Sequence, residues 1–392
     1  MQISGDKRAG LADAVFSGFF LLFPLISIAG GLGMTLLVSA AGAAGAPWRT
    51  VTGGARAAWP FVAALAIACG YVALSALWAP AFTTQGPRLL GILATGLLFC
   101  AGVWSCERAR MRTVALIGIG ALATLGLIEA LFDLALTRMF PPTADPIALL
   151  RNPGQGVTLL VLTYWAGLGG WLGGGRVHGA IALLLLPVVG WLSLQFVMAA
   201  NAAAFLAALC AFALGCVAPR VIIPALGALL AGWILAAPWA LPWLLDRLAF
   251  LVERSPDSWA IRAVIWRFVS ARIAEAPLIG HGLDASRGYA DEITTTRGIE
   301  HGLVPLHPHN GPLQIWLETG LIGAALASAC VIIGTAMAAR ALKGSRLARA
   351  SACATLAAGA VIANVSFGVW QEWWIAALFT AAALAGAARA TS

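Results

Sequence analysis

Long runs of Leu, Ala, Val, Ile and Gly, separated by short polar stretches, dominate the chain. They fall at about 11–28, 30–46, 58–79, 88–105, 113–134, 156–174, 179–197, 201–217, 221–243, 313–338, 350–364 and 367–388. A helical bilayer crossing needs about 20 apolar residues, so the pattern predicts twelve membrane-spanning helices. The runs lack the period-2 alternation of barrel strands, and lipid offers backbone amides no partner, so the spans are expected to be α-helices. The weakest division separates 11–28 from 30–46, where only Gly30-Gly31 and Gly33 mark a hinge. Lys7-Arg8 ahead of the first run resembles the start of a signal peptide. Residues 11–46 are too long for one apolar core of about 7–15 residues, so a retained pair of helices is expected.

Composition sharpens the picture. Hydrophobic residues make up 61% of the 392 and charged ones 10%, with a mean hydropathy of +0.90. A soluble chain would carry about 25% charged residues, which excludes a water-soluble enzyme. The net charge of +8 includes no long basic tail, so it argues for membrane topology and against nucleic-acid binding. With both termini cytoplasmic, the inner connections hold fourteen basic residues, among them Lys7, Arg8, Arg49, Arg56, Arg108, Arg176, Lys343 and Arg389. The short outer connections hold only Arg88, Arg138 and Arg151. The seven cysteines lie in apolar runs or at their ends and suit packing, not disulfides or zinc. The expected fold is therefore an all-α polytopic membrane protein. Helices one to nine occupy 1–243, one large periplasmic loop containing amphipathic helices occupies 244–312, and helices ten to twelve occupy 313–392.

The 69 residues of that loop concentrate the chemistry: seven arginines, eight acids and the histidines His281, His301, His307 and His309. Ser255-Pro256-Asp257 reads as a helix start, with Ser as cap, Pro in the first turn and an acid near the dipole. The helix is expected to run to about Ala276 and stop at Pro277, with Arg262, Arg267 and Arg272 away from its apolar side. Such a helix can lie at the membrane surface, and snorkelling is the ordinary explanation of Arg267 and Arg272.

The densest run is Pro305-Leu306-His307-Pro308-His309-Asn310-Gly311-Pro312, directly before an apolar span. Asn310 or Gly311 can cap that span, which leaves free N–H groups and the positive dipole end beside His309, a setting that favours an anion such as a pyrophosphate. An imidazole there can accept or give a proton near neutral pH. A metal held by His307 and His309 is not expected, because no Cys or carboxylate sits at ligand spacing and Pro308 restricts the backbone. Glu318 lies eight residues beyond Asn310, about 12 Å down the helix. An unpaired acid at that depth costs about 2.5–3.5 kcal/mol, so a polar cavity or an arginine is expected beside it.

Three stretches resemble the superfamily of O-antigen ligases and O-antigen polymerases, bacterial membrane glycosyltransferases. They are Arg262-Ala263-Val264-Ile265-Trp266 with Pro277-Leu278-Ile279-Gly280-His281-Gly282-Leu283-Asp284-Ala285-Ser286-Arg287, then His307-Pro308-His309-Asn310 with Leu313-Gln314-Ile315-Trp316-Leu317-Glu318-Thr319-Gly320, and more loosely Arg151-Asn152-Pro153-Gly154. The resemblance implies transfer of a glycan from undecaprenyl pyrophosphate at the periplasmic face of the inner membrane, without metal or other cofactor. By this resemblance Arg262 and His309 are the catalytic pair, and Arg287 matches a basic position common in similar sequences. Arg254, His307, Asn310 and Glu318 complete the expected substrate-binding set. Similar proteins often place a basic residue after the Asn, whereas here Arg151 precedes Asn152 and Pro153 follows it. The expected reaction is ligation of O-antigen to the lipid A core oligosaccharide, probed against two alternatives: a repeat-unit polymerase using the same donor, and a transporter.

Overall fold

The computed structural model describes residues 3–46, 58–139, 146–196 and 198–388. Arg49, Arg56 and Arg389, three of the basic residues expected on the cytoplasmic side, lie outside the described residues.

Each of the twelve apolar runs carries one helix of 13 residues or more. In chain order the helices are α1 (Ile3–Ile28), α2 (Gly33–Gly45), α3 (Trp59–Leu74), α4 (Gln85–Ser105), α5 (Arg108–Leu131), α6 (Ala135–Met139), α7 (Pro146–Leu172) and α8 (Arg176–Ser193). They continue with α9 (Ala199–Val217), α10 (Ile222–Arg247), α11 (Ala249–Arg254), α12 (Asp257–Ile273), α13 (Gly311–Ala341), α14 (Arg346–Val365) and α15 (Glu372–Ala387). Among the described residues nine helices are long and apolar enough to cross a bilayer, α2 and α15 are shorter apolar helices, and α7 runs for 27 residues. The chain is an all-α polytopic membrane protein. Its sole sheet among the described residues is a hairpin of β1 (Ile293–Thr296) and β2 (Ile299–Gly302), paired antiparallel from Ile293↔Gly302 to Thr296↔Ile299. Arg297 and Gly298 both take positive φ, as the tight turn of such a hairpin requires.

Helices in lipid gain little from apolar transfer, so close packing must hold them. In α5, Gly118 lets the backbone of α1 approach so closely that a methyl group would strike the Phe20 carbonyl. Phe16 and Phe19 of α1 meet Phe99 of α4 with ring centroids 5.5 and 4.6 Å apart. On the other side of the bundle, α10 packs along α13 and α9 along α14.

Four boundaries differ from the sequence reading. α12 ends at Ile273, and Ala274, Glu275 and Ala276 continue only as tight turns bonded three residues back. Ser255 does not cap α12: its hydroxyl donates to Val252 O at 2.7 Å, closing α11, and the residue before the helix is Pro256. The last apolar run starts as a helix only at Glu372, leaving Ser366–Gln371 as a connection.

The fourth difference lies inside α13, where Gly320 takes φ +62° and breaks the helix after Thr319. Backbone groups freed by a break must be bonded elsewhere when no water is present. The Pro277–Gly282 stretch supplies the partners. Its Pro277 and Leu278 carbonyls accept from the N–H groups of Leu321 and Ile322, while the His281 and Gly282 N–H groups donate to the Leu317 and Glu318 carbonyls. Gly280 and Gly320 are both at positive φ, and a side chain on either would collide with the opposing backbone. The Pro-Leu-Ile-Gly-His-Gly run is thus the splint of a discontinuous helix.

Candidate functional site

The site is assembled at one end of the bundle, where α12 lies against α10 and α13. α12 buries Ala260, Ala263, Ile265, Trp266, Val269 and Ile273, a stripe at helical spacing. Trp266 donates its ring N–H to Pro308 O at 2.8 Å, which ties the His-Pro-His turn to the helix. One turn earlier on α12 stands Arg262.

The turn holds both imidazoles in defined states. His307 Nδ1 accepts from the His309 backbone N–H at 3.1 Å, so its neutral form carries the proton on Nε2. His309 Nδ1 lies 2.6 Å from the Ser366 carbonyl, which can only accept, so this nitrogen is protonated and Nε2 keeps a free lone pair. The two rings meet edge to face at 4.4 Å. His309 reaches this position through a left-handed backbone, φ +54°, a conformation that costs about 1–3 kcal/mol outside glycine. Asn310 caps α13 by accepting from Leu313 N at 3.0 Å, with Pro312 in the first turn as the sequence indicated, and its amide donates to Asn364 O.

Burial pushes the His307 imidazole down to about 3, with His309, Arg287 and Arg262 adding to the effect. Burial also lowers His309 to about 4, with Arg262 contributing and the Ser366 carbonyl opposing. Both rings are therefore neutral at neutral pH. Burial in turn lowers the pKa of the Arg262 guanidinium. Arg262 donates from one Nη to Ser258 O at 3.1 Å and lies over the Trp259 ring at 5.5 Å. Its Nε is buried without a partner, and no carboxylate pairs with it among the described residues.

The remaining expected residues divide. Arg287 approaches closely enough to influence His307, and its Nε donates to Asp284 at 2.8 Å. His307 and Asn310 lie beside His309. Arg254 ends α11, exposed, with no contact placing it against the histidines. Glu318 is buried, and among the described residues no arginine pairs with it. Its carboxylate accepts from Asp284 N–H, Ser286 O–H, Gln314 and Trp370 at 2.8, 2.5, 3.1 and 2.7 Å. The expectation of an arginine is corrected: four neutral donors do that work.

The sequence reading missed the connection Ser366–Gln371. Its Ser366 carbonyl fixes the His309 tautomer, Val369 N–H donates to Gln314 Oε1, and Gly368 packs so near His307 that a methyl group there would lie 3.0 Å from the ring. The available signal was the polar Asn364, Ser366, Gln371 and Glu372 flanking Gly368 in an otherwise apolar run.

The family match takes in the segment that carries Arg262, Arg287, His307 and His309. Residues 181–328 match the family model described as O-Antigen ligase. A protein of Rickettsia bellii named "Putative polysaccharide ligase" is 40% identical over 126 residues, 30% of this chain and 29% of that protein. Similarly named proteins of Rickettsia typhi and Rickettsia prowazekii are each 34% identical over 119 residues, 30% of this chain and 29% of theirs. The matched stretch covers less than a third of these curated relatives' own length. The resemblance carried by the arginine and histidine motifs thus stands, and residues 181–328 are similar to the O-antigen ligase family.

Proposed function

We propose that the protein is an O-antigen ligase that transfers a glycan from undecaprenyl pyrophosphate to the lipid A core oligosaccharide. The reaction is metal-independent and takes place at the periplasmic face of the bacterial inner membrane. The single observation that carries this reading is the half-buried Arg262 guanidinium, unpaired by any carboxylate, beside a neutral His309 whose Nε2 is free.

A partly buried cation without a counter-ion favours an anionic ligand, and a guanidinium binds phosphate oxygens in bidentate fashion. In the transfer, the acceptor hydroxyl attacks the anomeric carbon from the face opposite the pyrophosphate. The new C–O bond forms as the bond to the pyrophosphate breaks, its electron pair leaves on the pyrophosphate, and the configuration inverts. The hydroxyl proton passes to His309 Nε2. Arg262 stabilises the charge gathering on the leaving group, a role in which one such donor contributes about 2.7–4 kcal/mol. Arg287 assists from the Asp284 side. The donor's negative charge acts on His309 in the opposite sense to Arg262 and raises its basicity when the donor is bound.

The topology supports the same reading. Arg108, Arg176, Arg220 and Lys343 lie at the connections opposite the site, the distribution expected when the site end is extracytoplasmic. A transporter uses the ends of broken helices to bind its cargo, whereas the break at Gly320 is filled by the chain's own Pro277–Gly282. The deciding experiment is a lipopolysaccharide gel of a strain lacking the protein. A bare core with carrier-linked long polymer supports ligation. Cores bearing a single repeat would move the reading to a polymerase, and an unaltered pattern removes both.

A further inference from the structure

Resting on the transfer reading above, we propose that Glu318 is a positioning residue that locks the His309 arm and the Arg287 arm into one geometry without touching substrate. Oε1 accepts from Ser286 O–H and Gln314 Nε2, and Oε2 accepts from Asp284 N–H and Trp370 Nε1. A carboxylate has about four lone-pair sites. All are occupied by protein donors, and the side chain is 0% exposed, so no glycan or phosphate can reach it.

Those four donors come from two separate connections and from α13 itself. One connection holds Asp284 in a left-handed conformation, φ +70°, with its carboxylate gripping Arg287 and accepting from Thr83 at 3.0 Å. The other connection runs from Ser366 to Gln371; Trp370 bonds Glu318 directly, and Val369 bonds it through Gln314. That same connection supplies the carbonyl that sets the His309 tautomer. Glu318 is the side chain bonded to both arms at once, and a longer route runs beside it from Asp284 through Thr83 and Gln85 to the Trp370 carbonyl. An acid is needed because every neighbour donates. A glutamine of equal size would turn its NH2 toward two donors in either orientation, leaving buried groups unpaired.

The test compares Glu318→Gln and Glu318→Asp with wild type in nanodiscs, reading transfer kinetics on carrier-linked glycan and the 15N imidazole signals of His309. Glu318→Gln is expected to lower kcat on the order of 100-fold, the scale of an ångström-sized misplacement. KM for the donor should stay within about threefold, because no binding contact is removed. Glu318→Asp should recover part of the rate. The 15N signals should show a fixed Nδ1–H tautomer for His309 in wild type and a mixture in Glu318→Gln. A raised KM with kcat kept, wild-type kinetics, or an unaltered tautomer in Glu318→Gln overturns the proposal. Should Glu318→Gln fail to fold, Ser286→Ala and Trp370→Phe each delete one donor; a lower kcat at constant KM supports the proposal, and wild-type kinetics in both overturn it. If the wild-type protein transfers no glycan, the functional reading falls while the tautomer comparison still decides the role of Glu318.

Discussion

Arg262 and Arg297 belong to the same interhelical segment and carry the same charge, yet their surroundings are opposite. Arg297 donates to the Val252, Glu253 and Ser255 carbonyls at 2.7 Å each and to Asp257 at 3.1 Å. It thereby clamps the hairpin turn onto the end of α11, and both its Nη atoms are engaged. Arg262 makes one bond to its own helix, keeps Nε buried and unpaired, and has two neutral imidazoles close by. A guanidinium that the fold fully satisfies is a fastener, whereas one that the fold desolvates and leaves unpaired is available to a ligand. Arg267, paired to Asp246 at 2.7 Å, and Arg272, paired to Glu275, fall with Arg297.

The contrast breaks most sharply on the site itself. Arg262→Ala and His309→Ala should each reduce glycan transfer by about 10³-fold or more while the protein still inserts and melts normally. Arg262→Lys should not restore it, since an ammonium cannot reproduce the planar fork. Wild-type transfer by a folded variant of either residue would remove that residue from the mechanism. Gly320→Ala should cost about 3 kcal/mol or more by forcing a side chain into the Leu278 carbonyl, and folded yield after detergent extraction measures this. Arg297→Ala should lower stability by about 1–2 kcal/mol, seen as a lower Tm, with turnover per folded molecule unchanged. A lost turnover at unchanged Tm would erase the distinction between the two arginines.

Acid sharpens the comparison further. His307 and His309 have folded pKa values of about 3 and about 4, below the unfolded 6.5, so the unfolded chain binds more protons between these limits. Stability is full above about 6.5 and falls with pH through that window, by at most about 1.4 kcal/mol per pH unit for each ring. Thermal melts of wild type and His307→Gln at pH 5 and pH 7 should show the smaller acid loss in the variant; equal losses contradict the assignment. The smallest effect belongs to Asp246→Asn, which breaks a half-exposed ion pair and should change stability by about 0.5 kcal/mol or less.

Much of this was legible along the chain because the signals are local. Apolar runs located the long helices, and Asn310-Gly311-Pro312 announced the start of α13 through cap and proline chemistry that acts within four residues. The failures were equally physical. Ser255 looked like a cap, but its hydroxyl found the Val252 carbonyl of the preceding helix first. The Ser366–Gln371 connection was absorbed into an apolar run, because its polar atoms are matched by groups more than 50 residues away, which no periodicity records. Glu318 was expected to face a polar cavity or an arginine, since only the folded chain brings four neutral donors to it.

What the sequence by itself determined is the partition between lipid and water: apolar run length sets the helices, because it depends on transfer energies of single segments. Which arginine is left unpaired, which nitrogen of His309 carries the proton, and how a broken helix is made whole were decided by tertiary structure alone. Each of these turns on a hydrogen bond between residues far apart in the chain, and burial makes such bonds obligatory without naming the partner.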